Sequence, residues 1–296
     1  MSQKAKVWTA LVTVYVIWGS TYLGIFYAGQ TIPPLFAAST RFITSGTLMA
    51  LFVVFVRRGS LRARRPEVLS AMLVGILLPG ANSVLFFAER NVPTGLASLI
   101  IASVPLWVMV LRLGVARERL PWQVLAGVGV GFAGVAVLAQ PSGGAKVYGI
   151  LLCVLSATMW ATGSFLSSRL PMPADPFAAT AIEMLTGGLA MLPFALFTIH
   201  HFTPSTASIV GWIYLVVFGS IVGYTAYVWL LANAPLGMVS TYAYVNPVVA
   251  IALGVLFRGE HLTWRLLVGA AIVVVAVAAV VRQDPPPTTE TEEAVH

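Results

Sequence analysis

A chain of 296 residues that is 58% hydrophobic and only 9% charged carries far less charge than the roughly 25% of an ordinary soluble domain. A water-soluble fold is therefore excluded, because there is too little polar side chain to cover its surface. The formal charge of +7 does not mark a nucleic-acid binder either: five arginines (Arg57, Arg58, Arg62, Arg64, Arg65) crowd one short connection, as in a cytoplasmic loop, and no basic stripe with interleaved aromatics follows a polar surface.

A helix that crosses a bilayer needs about 20 mostly apolar residues. The first such run, 7–28, follows Lys4 and Lys6 and is long enough to span. No secreted domain comes after it, so it reads as a retained helix rather than a signal peptide. Trp18 lies inside this span instead of at the interfacial belt, which suits a cavity wall or core packing. The second span, 36–56, carries Arg41 near its outer end, either snorkelling to the headgroups or facing inward. The third, 68–88, places Asn82 near mid-span, where an amide needs a neighbouring helix or a ligand as partner. Glu89 closes that span. It is either a solvated helix end beside Arg90 or, if spans two and three pack, the partner of Arg41 in a charge pair bracing an outer gate.

The fourth span, 94–115, contains Pro105, which removes a backbone hydrogen bond and kinks the helix, leaving carbonyls free near the midplane. The fifth, 122–139, carries Gly127-x-Gly129-x-Gly131 and Gly134, a close-packing pattern for a helix contact or a dimer surface. No strand precedes it, so it is not a dinucleotide fingerprint. The sixth, 147–168, holds Trp160 and the lone cysteine, Cys153, read as a small buried hydrophobe. In the seventh, 177–199, Glu183 lies about two turns in, either as a proton-carrying carboxyl inside the bundle or as an interfacial group reaching cytoplasmic water.

Tyr224 and Tyr227 in the eighth span, 208–231, share one side of a helix and fit an amphipathic cavity or ordinary packing. The ninth, 237–257, kinks at Pro247 with Asn246, Tyr244 and Tyr242 just before it, a polar-organic binding wall or a static kink satisfied by neighbours. The tenth is 264–282, and the polar tail 284–296, with Pro285-Pro286-Pro287, is expected to be disordered in the cytoplasm. Lys4, Lys6, the arginine loop, Arg117, Arg119, Arg169 and Arg282 share one side if both termini are cytoplasmic, which is the assignment that the positive-inside rule favours.

The most specific feature is an internal repeat. Shifting the chain by 142 residues lays Trp18 on Trp160, Asn82 on Tyr224, Asn91-x-Pro93-x-Gly95 on Asn233-x-Pro235-x-Gly237, Pro105 on Pro247 and Glu118-x-Leu120-x-Trp122 on Glu260-x-Leu262-x-Trp264. Between these, a shift of 141 brings Phe36-Ala37-Ala38-Ser39 onto Phe177-Ala178-Ala179-Thr180. The expected fold class is thus an all-α polytopic membrane protein of ten transmembrane helices, residues 1–140 and 141–283 forming two five-helix repeats. An odd number of spans per copy makes the second enter from the opposite side, so the halves are inverted about an axis in the membrane plane.

The run Ala88-Glu89-x-Asn91-Val92-Pro93-x-Gly95-x-Ala97, then Pro105-Leu106, Glu118-Arg119-Leu120, Trp122 and Gly127, resembles the EamA family of the drug/metabolite transporter superfamily. Trp18-Gly19-Ser20-Thr21-Tyr22 fits that family's first helix, and the likeness covers nearly the whole chain up to the tail. The resemblance implies ten helices, cytoplasmic termini, a bacterial inner-membrane location and a central cavity. It also implies secondary active or exchange transport, mainly export, of amino acids or related small molecules.

Trp18, Asn82, Trp160, Tyr224, Tyr227, Tyr244 and Asn246 are then the expected substrate contacts, and Glu89, Glu183 and Arg41 the coupling or gating groups, with protons and a homodimer left open. The histidines (His200, His201, His261, His296) lie at loops or the terminus with no partner cysteine, so no metal or other cofactor is expected. There is also no Walker sequence for ATP. Two rivals fit less well: a non-transporting scaffold or sensor would want larger extramembrane surfaces, and a membrane-embedded enzyme would want convergent catalytic groups.

Overall fold

The computed structural model describes residues 2–138, 146–197, 199, 202–239 and 241–282. The tail 284–296, His200, His201 and Ser240 lie outside the described residues, as do the side chains of Tyr244, Gly237, Arg265 and Arg282. Among the described residues every regular element is helical. In chain order these are α1 Gln3–Ala28, α2 Pro34–Leu51 running into a wider π-helical turn Phe52–Val56, α3 Arg65–Ala88, α4 Thr94–Ile101, α5 Val104–Gly114 and α6 Trp122–Leu138. They continue with α7 Val147–Ser167, α8 Pro176–Phe197, α9 Thr206–Tyr214, a π-helical stretch Leu215–Tyr224, α10 Thr225–Asn233, α11 Leu236–Val239, α12 Tyr242–Arg258 and α13 Trp264–Arg282.

The starts and stops follow local chemistry. Ser2 and Ser205 accept from Ala5 N and Ser208 N (3.2 Å each) to cap α1 and α9. Prolines open α2, α3, α5 and α8 where no amide donor is required, and Gly259, in the left-handed region at φ 63, ends α12. Seven stretches are long and apolar enough to cross a bilayer, counting Thr94–Gly114 and Thr206–Asn233 as continuous; Trp122–Val137, Val245–Arg258 and Leu266–Ala279 are shorter apolar helices. Large apolar side chains point away from the protein, among them Phe55 (72% exposed), Phe197 (87%) and Leu256 (74%). Water would not tolerate such a surface, and lipid tails would solvate it. Trp122 and Trp264 begin α6 and α13 and are both exposed, as interfacial anchors are.

With apolar solvent outside, the helices are held by close packing and small residues rather than by the hydrophobic effect. The α2–α8 contact is the tightest example. Ser39 Oγ donates to Gly188 O (2.8 Å), and a Cβ placed on Gly46 would lie 2.8 Å from Leu185 N. Next to it, Gly187 of α8 meets the Gly75 carbonyl and the Pro79 ring of α3. Around this pair α3 packs on α7 and α8, α1 on α12 and on α9 through α10, and α6 on α13. Two glycines of the α6 pattern make a helix contact within the chain. Gly131 sits against Leu106 and Ala276 and Gly134 against Ile272 and Val273, while Gly129 meets nothing within 4 Å.

The two prolines expected to make matching kinks act differently. Before Pro105 the helix is interrupted: α4 ends at Ile101 and α5 starts at Val104, with Ser103 N bonded to Ile100 O at 3.0 Å. Pro247 lies inside α12, whose first turn begins at Tyr242. In both cases the ring removes the donor for the carbonyl four residues back, that of Ile101 or of Ala243.

Candidate functional site

At the centre of the molecule a cavity opens between α1, α2, α3, α7, the π-helical stretch before α10, and α12. Its walls are aromatic. Trp18 and Trp160 meet edge to face at 5.2 Å, and Trp18 also contacts Tyr242 edge to face at 5.3 Å. Trp18 donates through Nε1 to Gly219 O (3.3 Å) in the π-helical stretch. Tyr227 is 4.7 Å from Trp18, bonds Ser164 (2.8 Å) and is not among the cavity-lining residues, so it backs the Trp18 ring.

Of the residues singled out from sequence, Trp18, Asn82, Trp160, Tyr224, Asn246 and Arg41 all line this one cavity. Arg41 faces inward and is 2% exposed. Its Nε donates to Ser220 Oγ (2.7 Å) and its Nη1 to Asn82 Oδ1 (2.9 Å), with the guanidinium 4.8 Å from the Phe42 ring. It does not pair with Glu89, because these contacts turn it toward the middle of the bundle rather than toward the end of α3. Glu183 is likewise buried, 1% exposed, and does not reach water. Its Oε2 accepts from Tyr224 OH at 2.6 Å, while Oε1 has no partner.

These contacts repeat in kind. Asn82 and Tyr224 are one repeat apart, and Arg41 is one residue from the repeat position of Glu183. In each half, then, an ionisable group of the second helix holds the mid-span polar group of the third.

Asn246 turns its NH2 to the carbonyls of Tyr15 (3.2 Å) and Tyr242 (3.3 Å), fastening the start of α12 to α1. Tyr242, named in the sequence as part of a binding wall before Pro247, does line the cavity, and the wall residue that was missed, Tyr22, carried a signal: it lies four residues from Trp18 and therefore on the same helix face. Ser220 carried none.

Glu89 occupies a second cavity of about 190 Å³, with Gln30, Arg90 and Arg258 in its wall. Both of its carboxylate oxygens are buried without a hydrogen bond. Beside it, Glu260 crosses from the end of α12 to the start of α4, accepting from Thr94 N (2.9 Å) and Gly95 N (3.1 Å) and pairing with Arg258 (2.6 Å). The repeat counterpart Glu118 gives its oxygens to Arg112 (2.7 Å) and to Arg169. Burial raises the Glu118 pKa, but those hydrogen bonds and charges outweigh it and the group ends below its usual value. Among the described residues no cluster of three or more His, Cys, Asp or Glu could hold a metal ion.

The profile of the EamA-like transporter family matches residues 6–140 and 147–282. The chain is 36% identical over 263 residues to the uncharacterized inner membrane transporter YedA of Escherichia coli K12, spanning 86% of this chain and 83% of that one. It is 30% identical to protein PecM of Dickeya dadantii over 86% and 84% of the two chains. To a protein of Salmonella typhimurium named a probable amino-acid metabolite efflux pump it is 28% identical over 88% and 89%. A crystal structure at 20% identity superposes with a TM-score of 0.67 over 94% of this chain and 96% of the other, a likeness of fold.

Proposed function

The chain belongs to the EamA-like transporter family, and from that premise we propose that it carries small organic metabolites by exposing the aromatic cavity to each side of the membrane in turn. It is a multi-pass membrane transporter with relatives in the inner membrane. Amino acids or related compounds, moved outward, are the proposed cargo. The efflux-pump relative supports that class.

The seven long and three shorter apolar helices make ten crossings on this reading, arranged as inverted halves 1–140 and 141–283 with both termini cytoplasmic. The packing supports a two-fold relation between the halves, and the odd number of spans per copy makes it an inverted one. Under a two-fold exchange of the halves, the α2–α8 and α6–α13 contacts map onto themselves, and α3 on α7 maps onto the run from α9 through α10 packing on α1. The observation that carries the proposal is the paired arrangement across the cavity, Arg41 on Asn82 in one half and Glu183 on Tyr224 in the other. A site built from equivalent positions of inverted halves can be closed from either side by the same motion.

Glu183 and Glu89, buried carboxyls each with an oxygen lacking a hydrogen bond, are the groups proposed to carry a coupled proton. In proteoliposomes loaded with a metabolite mixture, efflux should respond to an imposed pH gradient. Glu183→Gln should abolish that response while leaving exchange at equal pH. Flux that keeps its full pH dependence in Glu183→Gln and in Glu89→Gln removes proton coupling by either group and leaves exchange.

A further inference from the structure

Among the described residues the wall of the central cavity includes one cation, Arg41, and no Asp or Glu. A guanidinium stays charged at physiological pH, and a charge at this depth costs several kcal/mol unless something compensates it. The protein supplies only neutral acceptors, Ser220 Oγ and Asn82 Oδ1, together with the face of Phe42. Among the described residues no carboxylate lies within ion-pair distance of Arg41. Glu183 does not line the cavity and is bonded to the Tyr224 hydroxyl, and Glu89 belongs to the other cavity.

A second, independent valence points the same way. Trp160 is 8% exposed and lines the same cavity, and its Nε1–H, which stands only loosely toward the Tyr227 and Tyr242 hydroxyls, has no acceptor at full hydrogen-bond geometry. A buried donor left open this way costs about 1–3 kcal/mol until an acceptor arrives. Asn82, having given its Oδ1 to Arg41, keeps its NH2 to donate. The unmet needs of the cavity are thus those of a donor set around a positive charge, enclosed by flat rings.

We propose that this cavity is a carboxylate site: it takes a monocarboxylate with a flat apolar body, anchored by Arg41, in preference to the matching zwitterion or amine. The proposal rests on the carrier reading for its physiological meaning and, within the cargo class proposed there, selects the related deaminated acids over the amino acids themselves. The carboxylate supplies the missing countercharge and accepts from the guanidinium and Trp160; the cavity, about 50 Å³ in this state, has room for that end alone, and Trp18, Tyr22 and Tyr242 must move apart to take the body between them. An ammonium group would enter beside Arg41 with no acid in the wall to balance it, so an amino acid gains less than its deaminated counterpart.

The test is a charge series on one skeleton, using the purified full-length protein in nanodiscs and titration calorimetry. The probes are 3-phenylpropionate, phenylalanine, phenethylamine and 3-phenylpropanol, with sodium chloride and phosphate as inorganic anions. Phenylpropionate should bind best, by at least about 30-fold over phenethylamine, as expected for a buried charge pair. Arg41→Gln should bring phenylpropionate down to the level of phenylpropanol, and Arg41→Lys should fall between. The ligand series on the unaltered protein decides the matter even if a variant does not fold.

Equal or tighter binding of phenylalanine or phenethylamine overturns the proposal. So does retention of phenylpropionate affinity in folded Arg41→Gln, or absence of phenylpropionate binding up to millimolar concentrations. Chloride or phosphate competing as strongly as phenylpropionate overturns the requirement for an organic body. Counterflow in proteoliposomes is read separately. Binding without flux leaves the carboxylate site and removes the carrier reading, whereas amine flux that survives Arg41→Gln does the reverse.

Discussion

Arg117 and Gly259 are one repeat apart and adopt the same left-handed backbone, with φ of 55 and 63. Both follow the helix that precedes the acidic Glu118 or Glu260, so the turn that presents the acid is the same in each half. Glycine takes this conformation freely, whereas a residue with a Cβ is strained there by about 1–2 kcal/mol. Arg117 is exposed and its partner position shows that glycine suffices. Arg117→Gly should therefore stabilise the protein by about 0.5–1 kcal/mol, after allowing for the greater unfolded-state freedom of glycine. Unfolding in mixed micelles measures this. A loss of stability would mean that the Arg117 side chain makes a contact outweighing the strain. The repeated turn could be aligned from sequence through Glu118 and Glu260, but the sign of φ could not be read, because arginine there gives no hint of a left-handed residue. Arg41 shows the same limit: its place near one end of its span was readable, but whether it snorkels or turns inward was not, because its partners sit on α3 and the π-helical stretch, which the order of residues does not bring together.

At the scale of elements, α4 has a proline at its N-terminal boundary and no cap from its own sequence. The missing acceptors come from the other half, as Glu260 takes Thr94 N and Gly95 N. Carboxylates at a helix N-terminus are favoured by the helix dipole as well as by the hydrogen bonds. Glu260→Ala strands two amides and the charge of Arg258, so it should cost about 2–4 kcal/mol. Glu260→Gln, which keeps an acceptor, should cost less; equal losses would mean that packing against Gly254 matters more than the cap.

Glu118 allows a pH test because its folded pKa is depressed. The stability it contributes is present above its unfolded value, near 4.3, and is lost as pH falls through the lower folded value. The difference in stability between the unaltered protein and Glu118→Gln should be about 1 kcal/mol or less at neutral pH and should vanish once the pH is below the depressed folded value. A difference that persists there would assign it to shape rather than charge. The helices themselves were readable because long apolar runs and prolines are local signals. The widening of Leu215–Tyr224 into a π helix was not, since it is set by where Gly219 and Ser220 must meet Trp18 and Arg41.

At the scale of the whole molecule, the repeat relates the two ends, yet the structure treats them differently. At the α3–α4 end Glu260 ties α12 to the first turn of α4, and Lys146 N bonds Asn91 O (2.9 Å) to draw the start of α7 against the same connection. At the other end the corresponding acid, Glu118, is held by Arg112 and Arg169. Both acids tie one half to the other, Glu260 through backbone amides and Glu118 through the Arg169 side chain; on the inverted-halves reading proposed above, that inequality between equivalent positions marks one end state. The repeat made two equivalent ends legible in the sequence; on the alternating-access reading, which end is closed would depend on a small free-energy difference between packed states that no residue pattern encodes.

The native Cys153, the one cysteine in the chain, reports on this directly. It is fully buried about two turns inside α7 at the tied end. In membranes it should react slowly with N-ethylmaleimide, and Glu260→Ala should speed the reaction by about tenfold or more if the cap contributes at least 1.4 kcal/mol to closure. Substrate that favours the opposite end state should raise the rate in the unaltered protein as well. If Glu260→Ala lowers global stability yet leaves the labelling rate in folded protein unchanged, the cap supports the fold without holding that end shut, and the closure must be sought in the α1–α12 contact instead.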